Sequence, residues 1–237
     1  MSNRALPAPQ PVVTVRDGSA WGEAALRWAE AHASLVGAPL EVHEPSPDQV
    51  HDLLLASTRA DVVVIGHRAD DGRSFGLARI VLPLVQHAAS DVVVVRGTPE
   101  ALHGAHGRVT ALITGDEHDE PALTRAIDLA ARHGAALRVL HAAPPLTVRA
   151  DNPGVLIAHV DQALRGVRHT SVLARMHPNE AIARYADTDL LVLGDRGPTA
   201  RTALHHARCP VLVAHRVPEE LRRHGVRRPE RGSARTT

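Results

Sequence analysis

The feature that most constrains this chain is that it repeats itself. DGSAWGEAALRWAEAHASLVGAPLEV, from Asp17, aligns without gaps on TGDEHDEPALTRAIDLAARHGAALRV, from Thr114. Gly18, Leu26, Ala29, Gly37, Leu40 and Val42 meet Gly115, Leu123, Ala126, Gly134, Leu137 and Val139, all at an offset of 97. VVVIG, ending at Gly66, then matches LLVLG, ending at Gly194, at an offset of 128. HAASDVVVV from His87 matches HARCPVLVA from His206 at 119. The second copy therefore carries 31 extra residues before its glycine turn and has lost nine after it. Whatever fold serves one copy must serve the other.

The periodicities identify the unit. Runs at Val12 to Val15, Val62 to Ile65, Val92 to Val95, Leu190 to Leu193 and Val211 to Val213 are apolar on both faces, as strands inside a parallel sheet must be. Ala25, Trp28, Ala29 and His32, and likewise Leu123, Ala126, Ile127 and Ala130, fall at helical spacing between them. Ser46-Pro47-Asp48 and Asn152-Pro153 read as openings of further helices, and Val167 to Ala174 reads as a strand that the first copy lacks. Strands alternating with helices give an α/β class fold of two parallel-sheet domains in tandem, the first shortened. The expected divisions are a disordered N-terminus at 1–10, a first domain at 11–97, a linker at 98–107, a second domain at 108–217 and a disordered tail at 218–237.

Composition excludes several functions. The formal charge is +1, so any basic footprint for nucleic acid has to be local, and four aromatics (Trp21, Trp28, Phe75, Tyr185) are too few for base-stacking platforms. Every basic residue is Arg, which removes a phosphate-loop lysine, a Schiff-base lysine and a lysine general base. The single Cys209 leaves no internal disulfide, and no run approaches the ~20 apolar residues of a membrane span. The chain reads as cytoplasmic, with no membrane partner and no nucleic-acid partner.

Three blocks in order, present twice, resemble the universal stress protein family in its tandem two-domain form. VRDGSAWGEAALRWAEAHASLVGAPLEV resembles the family's first strand, Asp-Gly-Ser turn and first helix; HGAALRVLHAA resembles the entry to the second strand; HHARCPVLVAHR resembles the closing helix and strand. The resemblance implies two Rossmann-like domains of the adenine nucleotide alpha hydrolase-like type. In the family's nucleotide-binding branch it also implies ATP held by an aspartate after the first strand and by a loop G-x-x-G-(nine residues)-G-(Ser/Thr) after the fourth. Glycines in such a loop admit the phosphates to backbone amides at a helix N-terminus.

Residue by residue, neither copy keeps that loop. In the first, Asp17 and Gly18 match the aspartate turn and Gly66 the first glycine, but the second glycine falls on Ala69 and the closing pair near Ala78 and Arg79, with Gly72 and Gly76 between. In the second, Gly194 and Gly197 give G-D-R-G, yet the twelve positions from Gly197 to Cys209 are too few for the rest of the loop and a full helix. The aspartate position reads Thr114, followed by an acidic cluster (Asp116, Glu117, Asp119, Glu120) expected to face the phosphate position and repel it. The favoured reading makes Gly66 and Gly194 plain strand-to-helix turns, with ATP as the candidate cofactor where either site survives.

Other chemistry has thin support. His205, His206 and Cys209 at helical spacing are read as packing and capping in preference to metal ligation. Ser19 is placed to cap the first helix; no Gly-x-Ser-x-Gly elbow or paired carboxylates mark an enzyme. A flavin site lacks aromatic walls apart from Phe75. The six arginines after Val217 suit a solvated tail. The expected function is therefore a non-catalytic stress-response or regulatory protein that acts on an unknown protein partner, with an adenine-nucleotide sensor or slow ATPase as the competing reading. The valine edges at Val92 to Val95 and Val211 to Val213 are expected to cover each other, giving an internal pseudo-dimer, and a homodimer of the whole chain stays open.

Overall fold

The computed structural model describes residues 9–67, 77–116, 119–144, 153–194 and 196–215. Its first half runs β1 (Val12–Val15), α1 (Ala20–Val36), β2 (Leu40–His43), α2 (Gln49–Ser57), β3 (Val62–Gly66), α3 (Leu82–His87) and β4 (Asp91–Val95). A π-helical turn, Leu77–Val81, leads into α3. After a short linker helix, α4 (Pro99–Leu102), the second half runs β5 (Arg108–Ile113), α5 (Asp119–Arg132), β6 (Ala136–Ala142), α6 (Pro153–Ala163), β7 (His169–Ala174), α7 (Pro178–Arg184), β8 (Leu190–Leu193), α8 (Pro198–His206) and β9 (Val211–Val213).

The strands make one nine-stranded sheet in the order β2-β1-β3-β4-β9-β8-β5-β6-β7. Every neighbouring pair is parallel except β4 with β9, which meet antiparallel in the register Val92↔Val213, Val93↔Leu212 and Val94↔Val211. The two valine edges singled out in the sequence lie against each other. Because the seam is antiparallel, the carboxyl ends of the first half's strands and those of the second half's lie at opposite edges of the sheet. The inner strands β1, β4, β8 and β9 are wholly buried, while the outermost β2 and β7 are mostly half-exposed. That gradient is why the inner runs are apolar at consecutive positions and the outer ones mix in Glu41, His43, His169 and Ser171.

Helices cover both faces. Buried side chains of α1, α5 and α6 share one core with Val12, Val62, Val93, Val139 and Leu212. Those of α2, α3, α7 and α8 share the other with Val13, Val63, Val92, Leu140 and Val211. Sequence boundaries need three corrections. Helix α2 starts at Gln49 with no side-chain cap, because Ser46 spends its hydroxyl on the Asp52 carboxylate instead. Strand β7 starts at His169. The interval after Gly197 does hold a helix, the nine-residue α8, since the chain enters it directly at Pro198; what is missing is the loop. The Asn152 cap, residues 1–8 and the residues beyond 215 lie outside the described residues.

One charged knot joins the halves beneath α1 and α5. Arg125 of α5, 5% exposed, donates from Nε to Asp91 at 2.5 Å and from Nη2 to Asp61 at 2.5 Å. These aspartates flank the starts of β4 and β3, and Asp91 also accepts the backbone N–H of His215 at 2.8 Å. Burial opposes the Arg125 charge, but Asp91 and Asp61 outweigh it and raise its pKa. Truncating one partner of such a knot leaves buried charge unpaired. Arg125→Ala is expected to cost about 3–5 kcal/mol in urea unfolding. A double-mutant cycle with Asp91→Ala should recover a large coupling, and additive losses would refute the assignment.

Beside the knot, His32 of α1 is 2% exposed and stacks on Trp28 with ring centroids 5.0 Å apart. Burial drives its pKa down to about 4; Arg125, His133 and Arg132 add to this and Asp61 opposes it. The unfolded chain takes up the same proton near 6.5, so this contribution to stability is complete above that pH and is lost as pH falls toward about 4. The loss is roughly 3 kcal/mol in total. His32→Leu should flatten the urea midpoint across that window; an unchanged slope would mean the imidazole is protonated in the fold.

Candidate functional site at the two strand-end turns

The turn after β1 is built around the Asp17 carboxylate. Ser19 donates to it from its backbone N–H at 3.0 Å and from Oγ at 2.7 Å, and Ser19 Oγ accepts the Gly22 N–H at 3.0 Å. Ser19 is thus the N-cap of α1, as its position after Asp-Gly suggests. A side chain at Gly22 would place its Cβ 2.0 Å from Asp17 Oδ1, so glycine there is what lets the carboxylate lie against the first turn of the helix.

Gly66, closing β3, approaches the same turn. A Cβ at Gly66 would lie 2.4 Å from the Trp21 carbonyl oxygen and 2.9 Å from the Gly22 nitrogen. These contacts are backbone, which cannot swing aside. The glycine's room is taken by helix α1. Asp17, Gly22 and Gly66 line one cavity with Val15, Leu53 and Ile80, and its volume is about 30 Å³, that of a single water. Of the candidate residues of the first copy, the structure therefore brings Asp17, Gly18 and Gly66 to one turn; Gly72 and Gly76 lie outside the described residues.

At the opposite edge, the turn after β5 has a different carboxylate in a comparable place. Asp119, in the first turn of α5, accepts the backbone N–H of Thr114 at 2.8 Å and of Gly115 at 2.7 Å, and the Thr114 hydroxyl at 3.3 Å. Asp116 accepts the same hydroxyl at 2.8 Å. Burial pushes the Asp119 carboxyl above the ordinary aspartate range and Asp116 adds to that, while the amide bonds pull it back. Of the acidic cluster, Asp116 and Glu120 are exposed, whereas Asp119 turns inward and ties up the loop's own donors. Glu117 lies outside the described residues. The sequence places Asp119 only within an acidic cluster and does not mark its inward role, because the repeat aligns Asp17 with Thr114. Its available signal was an acid in the first turn of a helix, where free amides attract carboxylates.

Gly194 is buried directly after β8, and Gly197 occupies the N-cap position of α8 with no side-chain cap. Cys209 lies beyond the end of α8 and is 2% exposed; burial pushes its thiol up to about 12, so it stays a protonated core group at neutral pH.

Residues 106–215 match the model of the Universal stress protein family. This segment belongs to the universal stress protein family. Over a longer span, the fold is similar to the crystal structure of a universal stress protein from Archaeoglobus fulgidus, at a TM-score of 0.68 and 14% identity, covering 88% of this chain and 97% of that one. It is also similar to the cytoplasmic domain of a prokaryotic cation chloride cotransporter (TM-score 0.55, 14% identity, 87% and 85% covered) and to a functionally unknown protein from Pseudomonas aeruginosa (TM-score 0.52, 14% identity, 92% and 95% covered). At such identities these likenesses concern fold. No curated protein matches the sequence. No helix among the described residues is long and apolar enough to cross a membrane.

The strand-end glycine of the first half is thus met by a helix backbone. Gly66→Ala is expected to cost about 1–3 kcal/mol, since backbone must shift to admit one methyl group. The urea midpoint checks this, and an unchanged midpoint would show that β3 and α1 separate freely there.

Proposed function

We propose that this chain is a non-catalytic stress-response protein that works through protein contacts, its two halves acting as an internal pseudo-dimer and its ancestral ATP sites no longer holding nucleotide. The observation that carries this reading is that internal carboxylates already occupy the turns. Asp17 accepts the Ser19 amide and Asp119 accepts the amides of Thr114 and Gly115. Those amides are donors that a phosphate would need, and a carboxylate beside them repels an anion. The cavity at Asp17 and Gly66, about 30 Å³, also falls far short of the ~300 Å³ or more that small-molecule sites usually offer. Membership of the universal stress protein family supports the stress-response part of the proposal.

A second reading, a nucleotide sensor in the first half, draws on the convergence of Asp17 and Gly66 on one cavity. Calorimetric titration of the full chain with ATP and magnesium separates the two. The leading reading expects no binding tighter than roughly 100 micromolar, near −5.5 kcal/mol. Tighter binding that Asp17→Ala abolishes would establish the sensor instead.

A further inference from the structure

A cleft lies where the internal repeat loses its symmetry. It has a volume of about 440 Å³ and runs between α1, the linker helix region and the starts of β5 and β8, lined by Trp28, Ala31, His32, His103, His133 and Asp189 among others. It opens at the same sheet edge as the turn of Asp17 and Gly66 but shares no lining residue with the cavity there. The sequence alignment that pairs the two halves places Trp28 opposite Arg125, Asp61 opposite Asp189 and Asp91 opposite Pro210. In one half, then, a guanidinium from the long helix fills the slot above the strand starts and binds two aspartates. In the other half the arginine is an indole, one aspartate is proline, and Asp189 remains beside an open space.

The cleft wall presents hydrogen-bond acceptors. Each Asp189 oxygen accepts one backbone N–H, from His106 at 2.9 Å and from Arg108 at 3.1 Å, which leaves a carboxylate further acceptor capacity. His32 Nδ1 is buried and finds no hydrogen-bond partner among the described residues. His103 is hydrogen-bonded through Nδ1 to the Pro99 carbonyl at 2.6 Å, so in the neutral ring its Nε2 is the acceptor. Burial lowers the pKa of both His32 and His133, and neutral imidazoles offer acceptors without repelling a cation. Trp28 supplies an aromatic face, the best side-chain surface for a delocalised cation. Arg27, exposed at the rim, is the one lining side chain with a fixed positive charge.

We infer that this cleft binds a small planar compound carrying an amidinium or guanidinium group, its ring against Trp28 and its N–H donors on Asp189 and the neighbouring imidazoles. Such a ligand reproduces in the second half what Arg125 supplies in the first. The volume admits one ring system with a short substituent.

Benzamidine is the probe, with benzoate as its anionic isostere. The Trp28 indole N–H signal of the full-length protein, assigned by its survival in Trp21→Phe, is followed by NMR during titration. Benzamidine is expected to shift it saturably with a Kd of about 1 mM, in keeping with so small a ligand. Benzoate should bind at least tenfold more weakly. Ala31→Trp, at an exposed position on the cleft wall, should weaken benzamidine at least tenfold by filling the space. Arg27→Ala should strengthen it severalfold. Asp189→Asn should weaken it about tenfold in protein whose circular dichroism is unchanged. Equal binding of benzoate and benzamidine, or a titration that Ala31→Trp leaves intact, would overturn the proposal.

Discussion

The antiparallel pairing of β4 with β9 governs the rest of the molecule. Left bare, each of these short valine strands would end its half in a row of unpaired amides and carbonyls, a template for uncontrolled association. Joined, they make one sheet with buried strands through its centre and only β2 and β7 at the margins. The antiparallel sense then sets the geography. It sends the two strand-end turns to opposite edges, and it brings α1 and α5 onto one face close enough for Arg125 to reach the starts of β3 and β4. A parallel junction would have placed Asp91 and the amide of His215 at different ends of the seam. The Asp91 carboxylate, by accepting both Arg125 and His215, closes the seam with polar contacts that only this orientation permits.

Most of the sheet was legible because burial on both faces leaves a sequence no freedom. Runs such as Val92 to Val95 have no solvent side, so no polar residue breaks them. The margins read less well for the same reason in reverse: His169 and Ser171 lie where one face is wet, and the boundary of β7 blurred. The charged knot was not legible at all. Arg125 sits at a helical position that would suit a solvated side chain, and its partners are 34 and 64 residues away in the other copy. Pattern within one element cannot report a bond whose other end is set by how two halves dock.

The site shows the same division. The positions of Asp17, Gly18 and Gly66 at one turn followed from the resemblance, since strand ends and glycine turns are local features. What local features could not convey is that the space near Gly66 belongs to the Trp21 backbone, or that Asp119 folds back on Thr114 and Gly115. Both are cases of one group satisfying another across a turn. A motif search counts glycines that could admit a ligand; it does not ask whether the protein has already filled the room.

The aligned halves make that distinction consequential. Each has a strand-end turn and a helix slot, and each of these can be filled from within or left open. Here the turns are closed by carboxylates, which lets them hold their shape with no anion present, because the amides that would otherwise call for one are paired. The helix slots went separate ways. One holds the Arg125 guanidinium between two aspartates; its counterpart has an indole, a single aspartate and about 440 Å³ of space. Asp189 is half-buried with no guanidinium on it among the described contacts; its carboxylate accepts the backbone N–H groups of His106 at the linker's end and of Arg108 at the start of β5. The asymmetry between the copies, more than the features they share, is therefore where chemistry peculiar to this chain has room to exist.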